Sequence, residues 1–90
     1  MTSPKSEDFH KQIDEIFTFA ESKMLNAVIS TAGNLHRVVG KYPGSDHRMH
    51  VCSNVMKKNM ILDDQILCSP PKGVGSSLRI QYIFPRSRKN

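Results

Sequence analysis

The chain has 90 residues, enough for one small domain with a modest core. Only 38% of the residues are apolar, and the apolar runs are too short for a membrane-spanning helix. The net charge of +5 favours a polyanionic partner, with nucleic acid the first candidate and an anionic membrane surface the second. The first residues show no apolar stretch after a basic start, so we predict a cytoplasmic protein without a secretory signal.

The charge is divided unevenly along the chain. Residues 1–25 carry three lysines against five carboxylates and have a net charge of −2. The remainder carries ten cationic residues against three carboxylates and has a net charge of +7. A segregated positive region is typical of proteins that bind polyanions. A basic soluble protein without such a partner is the alternative.

Residues 1–5 are predicted to be frayed, residues 6–85 to form one domain and residues 86–90 to form a basic tail. From Ser6, a candidate N-cap, apolar residues recur at helical spacing and predict an amphipathic first helix. Its acidic outer face and apolar inner face are typical of a helix that covers a core. The inner face consists of Phe9, Ile13, Ile16, Phe17, Ala20 and Met24.

Two short elements are expected next. A β-branched pair within residues 26–30 predicts a strand. Ser30 or Thr31 can then cap a second helix that ends at Gly40, and residues 41–44 form a turn. The predicted inward residues of this helix are Leu35, Val38 and Val39.

The most informative stretch is residues 45–60, SDHRMHVCSNVMKKNM, which predicts a third helix capped by Ser45 or Asp46. One face of this helix is apolar and rich in sulfur: Met49, Cys52, Met56 and Met60. The opposite face lacks carboxylates and carries donors that suit base edges and phosphates. It consists of His47, His50, Val51, Asn54, Lys57 and Lys58. The alternative is the solvated outer face of an ordinary amphipathic helix.

A β-hairpin is predicted after the third helix. Asp63 and Asp64 mark a break, residues 65–69 read as an apolar strand, and residues 78–84 alternate with a period of two. Between the strands, two prolines and two glycines within residues 70–77 predict a loop. In the last strand we expect Leu78, Ile80, Tyr82 and Phe84 to face inward, and Arg79 and Gln81 outward.

This order of elements resembles the winged helix-turn-helix superfamily, an α+β fold in which three helices pack against a small antiparallel sheet. The resemblance implies that the third helix enters the major groove of DNA and that the loop between the last two strands, the wing, contacts the DNA backbone or the minor groove. Residues 45–60 would be the recognition helix and residues 70–77 the wing. The phrases HRMHVCSNVM and SPPKGVGSSLRIQY also resemble segments of small prokaryotic proteins.

We therefore predict a non-enzymatic protein that binds double-stranded DNA, either a transcription regulator or the DNA-recognition module of a larger system. Base edges would be read by His47, Asn54 and Lys58, and phosphates contacted by cations of the helix, the turn and the wing. The predicted DNA-binding residues are Lys41, His47, Arg48, His50, Asn54, Lys57, Lys58, Lys72, Gly73, Ser76 and Arg79. The alternative is a winged-helix protein-interaction module that binds another protein or a second copy of the chain.

Other chemistry is disfavoured by the sequence. Cys52 and Cys68 are both interpreted as reduced and buried, which argues against a disulfide and against a nucleophile. The histidines His36, His47 and His50 do not combine with Cys52 in a spacing typical of a zinc site. The glycines of the wing lack the pattern of a nucleotide-binding loop. We expect no metal, no cofactor, no membrane partner and no small-molecule substrate.

Overall fold

A computed structural model describes residues 5–40, 48–71 and 75–86 of the chain. Within these residues, three helices and one antiparallel three-stranded sheet form an α+β fold. None of the helices in these ranges is long and apolar enough to cross a membrane. The elements are α1 (Ser6–Ser22), β1 (Ala27–Thr31), α2 (Ala32–Val39), α3 (Met49–Lys58), β2 (Gln65–Cys68) and β3 (Arg79–Ile83).

The last strand, β3, is the centre of the sheet. It pairs antiparallel with β1 on one side and with β2 on the other, so the strand order is β1-β3-β2. The predicted alternation of this strand is confirmed, because all four residues expected to face inward are buried and Arg79 is exposed. Gln81 is half-buried. The buried residues are Leu78, Ile80, Tyr82 and Phe84.

The core lies between the inner face of this sheet and the three helices. The predicted stripe of α1 supplies four buried side chains, and α3 supplies Met49, Cys52, Val55 and Met56. The Phe17 ring meets the Tyr82 and Phe84 rings edge to face, with centroids 4.9 and 5.3 Å apart. Helix and sheet are thus joined by aromatic contacts in the preferred geometry.

The N-cap prediction for α1 was one residue too late. Lys5 is the N-cap, and Ser6 is already helical. The Asp8 carboxylate accepts the Lys5 backbone N–H at 2.8 Å, so an acidic side chain of the first turn satisfies the amide of the cap residue. Asp8 and Glu7 also place negative charge at the positive end of the helix dipole.

Met24 does not belong to the inward stripe, because α1 ends before it. Met24 has a φ of 56°, and its side chain is 88% exposed. Its N–H donates to the Glu21 carbonyl at 3.1 Å, and the Leu25 N–H donates to the Ala20 carbonyl at 3.0 Å. This pair of bonds is a Schellman motif, in which the left-handed position usually holds glycine.

Helix α2 has the predicted ends but a different buried face. Thr31 occupies the N-cap position, yet the first amides of the helix are satisfied by backbone: Ala32 N–H by the Leu78 carbonyl and Gly33 N–H by the Ser76 carbonyl. Val38, predicted inward, is 65% exposed, and the neighbouring position His36 is buried instead. The segment that precedes β3 therefore caps α2, which orients this helix on the sheet.

Helix α3 is shorter than predicted. It begins at Met49, and Arg48 is its N-cap with a ψ of 55°, so Arg48 does not lie in the first turn. The expected caps Ser45 and Asp46 lie outside the described residues. Met60 lies beyond the helix and is half-buried. The expected apolar face is otherwise confirmed for Met49, Cys52 and Met56, which are buried.

The edge strand β2 is exposed along its whole length. Ile66 pairs with Ile80 but remains 42% exposed, and Leu67 is 44% exposed. The expectation of a buried Cys68 was wrong, because Cys68 is an exposed free cysteine opposite Arg79. An apolar run indicates a strand, but it does not determine whether another layer covers that strand.

The turn after α3 contains a buried ion pair. The Asp64 carboxylate accepts two hydrogen bonds from Arg86, at 2.7 and 3.1 Å, and the two side chains are 0% and 2% exposed. The guanidinium also donates to the Asn59 carbonyl at 2.7 Å and lies 4.5 Å from the centre of the Phe17 ring. Arg86 was assigned to the basic tail from the sequence, whereas here it packs into the core.

Replacing Met24 with glycine should stabilise the protein. A non-glycine residue in the left-handed region costs about 1 kcal/mol or more, and the exposed Met24 side chain contributes little packing. The freedom that glycine gains in the unfolded chain offsets part of this, so we expect Met24→Gly to raise the free energy of unfolding by about 0.5–1 kcal/mol in urea denaturation. Met24→Ala is the matched control and should give no gain, since it keeps a Cβ at positive φ.

Removing one member of the buried ion pair should destabilise the protein strongly. Arg86→Ala or Asp64→Asn leaves the other group buried without its countercharge, and we expect a loss of about 3–5 kcal/mol in the free energy of unfolding. Lys11→Ala, which removes an exposed cation from α1, should change it by less than about 0.5 kcal/mol. Equal effects of Arg86→Ala and Lys11→Ala would show that Arg86 is solvated.

Candidate nucleic-acid interface

One face of α3 is open to solvent and carries only neutral or cationic side chains. His50, Asn54 and Lys58 are exposed and recur every four residues, so they form one row along the helix. Lys57 beside them is half-buried. Lys57 and Lys58 occupy the last turn, where a cation also favours the negative end of the helix dipole. The row presents hydrogen-bond donors with no carboxylate among them.

The N-terminus of α3 is held by a buried histidine. The Arg48 backbone N–H donates to His36 Nε2 at 2.7 Å, so that ring nitrogen carries no proton. The His36 ring is fully buried and meets the Phe9 ring edge to face at 4.9 Å. His36 thus connects α2 both with the N-cap of α3 and with α1. The Arg48 side chain is exposed and lies beside the start of the row.

The middle of α3 is held by a buried serine. Ser53 is fully buried, and its hydroxyl accepts a hydrogen bond from the Gly75 N–H at 3.1 Å. The same hydroxyl donates to the Gly75 carbonyl at 3.5 Å. Gly75 belongs to the β2–β3 loop, within residues 70–77 that were predicted to be a wing, so α3 and this part of the loop lie next to each other.

The helix α1 does not cover the exposed row. It packs against α3 through the core. At the C-terminal end of α3, the side-chain nitrogen Nδ2 of the C-cap residue Asn59 lies 3.1 Å from His10 Nδ1 of α1. The acidic outer residues Asp14 and Glu15 are exposed on α1. The carboxylates of the first segment therefore leave His50, Asn54 and Lys58 accessible.

The remaining predicted residues are distributed around this centre. Ser76 is exposed and directly follows Gly75. Arg79 is exposed at the first position of β3, on the face of the sheet opposite the buried Ile80, so it does not extend the row on α3. Four of the predicted residues lie outside the described part of the chain: Lys41, His47, Lys72 and Gly73.

The Cys52 thiol is part of the core and has a structural role. It is fully buried, its Sγ lies 3.6 Å from the Ala32 carbonyl oxygen, and burial raises its pKa to about 12. The protonated thiol is a poor nucleophile and a poor metal ligand. Within the described ranges, no group of three or more His, Cys, Asp or Glu side chains could hold a metal ion.

Sequence reasoning missed the two side chains that fix α3. His36 was considered only as a zinc ligand, and Ser53 was not singled out. Both are fully buried polar residues, and each bonds to backbone 12 or 22 residues away in sequence. The one local signal is for Ser53, which follows Met49 by four residues and precedes Met56 by three and so lies on the inward side of the helix pattern.

The Cys52 thiol should make the protein less stable in alkali. In the unfolded chain a thiol ionises near its ordinary pKa of 9.0, whereas the folded thiol keeps its proton to about pH 12. Raising the pH through this window therefore favours the unfolded state, and the free energy of unfolding falls. Urea denaturation between pH 8 and 11, with a reducing agent present, measures the slope.

Cys52→Ala should lower the stability at neutral pH but give a shallower alkaline slope than wild type. Val55→Ala is the control, because it truncates another core residue of α3 and removes no titrating group. It should retain the wild-type slope. Identical slopes for wild type and Cys52→Ala would contradict the assignment.

Comparison with known proteins finds no relative of this chain: no family model matches it, and no curated protein or solved structure is significantly similar.

Proposed function

We propose that the chain is a winged-helix protein that binds double-stranded DNA without catalysing a reaction. The observation that carries the proposal is the exposed row His50, Asn54 and Lys58 on a helix that bonds through Ser53 to Gly75 of the β2–β3 loop. A helix of this diameter fits the major groove, and a neighbouring loop can then reach the DNA backbone.

The connectivity of the fold supports the winged-helix assignment. A first strand between α1 and α2 pairs with the last strand of a C-terminal hairpin, which is the arrangement that the resemblance implies. The connection from α2 to α3 runs from Gly40 to Arg48, longer than the three or four residues usual for helix-turn-helix proteins. The His36 contact to Arg48 supplies a fixed point between the two helices that a tight turn would otherwise provide.

In this mechanism, Asn54 and Lys58 contact base edges, because an amide pairs with adenine and a lysine ammonium with guanine acceptors. Arg48 at the start of α3 contacts a phosphate, and its role does not depend on the base sequence. The further phosphate contacts are assigned to Lys41, Lys57, Lys72 and Arg79. His47 and His50 complete the donor face.

Binding should depend steeply on salt. If about five phosphates are neutralised, the logarithm of the association constant falls against the logarithm of salt concentration with a slope of about −4 to −5. Fluorescence anisotropy with a random duplex at several salt concentrations measures this slope. No binding at low salt, or a flat response, would rule out the proposal.

Two substitutions, one at the N-cap of α3 and one within the helix, distinguish contacts with phosphates from contacts with bases. Arg48→Ala should weaken all duplexes alike and reduce the salt slope by about one, while the backbone bond to His36 stays intact. Asn54→Ala should change the ranking among duplex sequences, at a cost of about 1–3 kcal/mol for the preferred one. Lys11→Ala is the control for charge, since it removes a cation from the outer face of α1 and should leave both quantities unchanged.

The second candidate function is protein binding, and the exposed edge of β2 favours it. Ile66 and Leu67 are each more than 40% exposed, and Leu62 in the preceding turn is 98% exposed. An open strand edge with apolar side chains can pair with a strand of another protein. A complex that survives nuclease and high salt would support this function, because apolar contacts resist screening and phosphate contacts do not.

A further inference from the structure

Ser53 is the point at which α3 and the β2–β3 loop are joined. Its hydroxyl both accepts from the Gly75 N–H and donates to the Gly75 carbonyl, and its side chain is fully buried. The next residue, Asn54, is exposed, because successive side chains leave a helix about 100° apart. His50 of the exposed row lies three residues before Ser53 and is its neighbour on the helix surface, so the loop is attached beside the row.

The loop end that Ser53 holds has little freedom. Gly75 has a φ of 150°, a conformation that other residues rarely adopt. A Cβ at this position would lie 3.2 Å from Cγ of Pro70, which is buried at the other end of the loop. The two ends of the loop therefore lie in contact with each other and beside α3.

The segment from Gly75 to Leu78 also contacts α2. The Ser76 carbonyl accepts the Gly33 N–H at 3.0 Å, and the Leu78 carbonyl accepts the Ala32 N–H at 2.9 Å. A Cβ on Gly33 would lie 3.3 Å from the Ser76 Cβ, so the segment lies directly on the first turn of α2. Ser53 therefore sets the position of α3 relative to a segment that α2 already holds.

We infer that Ser53 is a positioning residue, which holds the exposed row of α3 and the segment from Gly75 to Leu78 at the spacing that lets one duplex contact both. This inference rests on the proposed DNA binding. A two-part surface that is ordered before binding loses less conformational entropy in the complex. Without the hydroxyl, the Gly75 N–H loses its partner, and the loop end is no longer fixed relative to α3.

A double-mutant cycle with a charge probe tests the inference. Ser76→Glu adds a carboxylate at an exposed position beside Gly75, and it should weaken duplex binding by about tenfold at 0.1 M salt if this segment lies near phosphates. In the Ser53→Ala background the same probe should cost less than about threefold, because this segment and the row of α3 are no longer held at a fixed spacing. Fluorescence anisotropy with one duplex provides all four dissociation constants.

Two controls separate positioning from charge and from stability. Thr18→Glu makes the same charge change on the outer face of α1 and should alter affinity by less than about twofold, since salt screens distant charges. Val55→Ala destabilises α3 through the core without removing the bonds to Gly75, so the Ser76→Glu penalty should stay near tenfold in that background. If Ser53→Ala does not fold, Ser53→Cys takes its place, because the thiol is of similar size and a weaker hydrogen-bond partner.

The outcomes distinguish the two claims. A wild-type chain that does not bind duplex DNA overturns the proposed function, and the inference with it. Wild-type binding with an equal Ser76→Glu penalty in both backgrounds overturns the role of Ser53 alone. A reduced penalty in Ser53→Ala together with an unchanged penalty in Val55→Ala supports it.

Discussion

The buried contact between Asp64 and Arg86 holds the C-terminal half of the fold together. Besides Arg86, the Asp64 carboxylate accepts the Ile61 N–H and the Ile83 N–H, both at 2.8 Å. A single side chain thus joins the turn after α3, the end of β3 and the residues that follow it. An unpaired charge at this depth would be costly, so the fold requires both partners at once.

Polar contacts of the same kind determine the position of α3. The helix packs on the core through Met49, Cys52, Val55 and Met56, but apolar packing tolerates rotations that hydrogen bonds do not. His36 fixes its first residues, Ser53 fixes its middle, and Tyr82 donates to the Met56 carbonyl at 2.8 Å near its end. Burial, together with the nearby Asp64 charge, raises the pKa of Tyr82, so its hydroxyl remains a donor. These contacts decide which face of the helix is exposed.

The outer surface is divided between charge and apolar edges. The row on α3 is polar or cationic, whereas β2 at the edge of the sheet exposes Ile66, Leu67 and Cys68. The two regions suit different partners: an acceptor-rich polyanion for the row, and an extended strand for the edge. One small domain can present both, because the helices cover only one face of the sheet.

The sequence by itself determined the order of the elements and most of the apolar core. Periodicity located α1, the alternation of β3 and the inward face of α3, because burial of apolar side chains follows the geometry of the local element. It also predicted the exposed His50, Asn54 and Lys58, whose spacing in the helix leaves them on the side away from the sulfur-rich face. Helix ends were less well predicted, since Lys5 instead of Ser6 is the N-cap of α1 and α3 begins only at Met49.

Only the tertiary structure decided which polar residues are structural. In the sequence, His36 was considered only as a zinc ligand, Ser53 was not singled out and Arg86 was assigned to a tail, yet each forms hydrogen bonds with a partner 12 to 27 positions away. The converse holds for Met24 and Cys68, which are apolar by type but exposed, one beyond a helix end and one on an open edge. Hydropathy is a property of a side chain alone. The free energy of burying a polar group depends instead on the partner with which it forms hydrogen bonds, and only the fold brings that partner near.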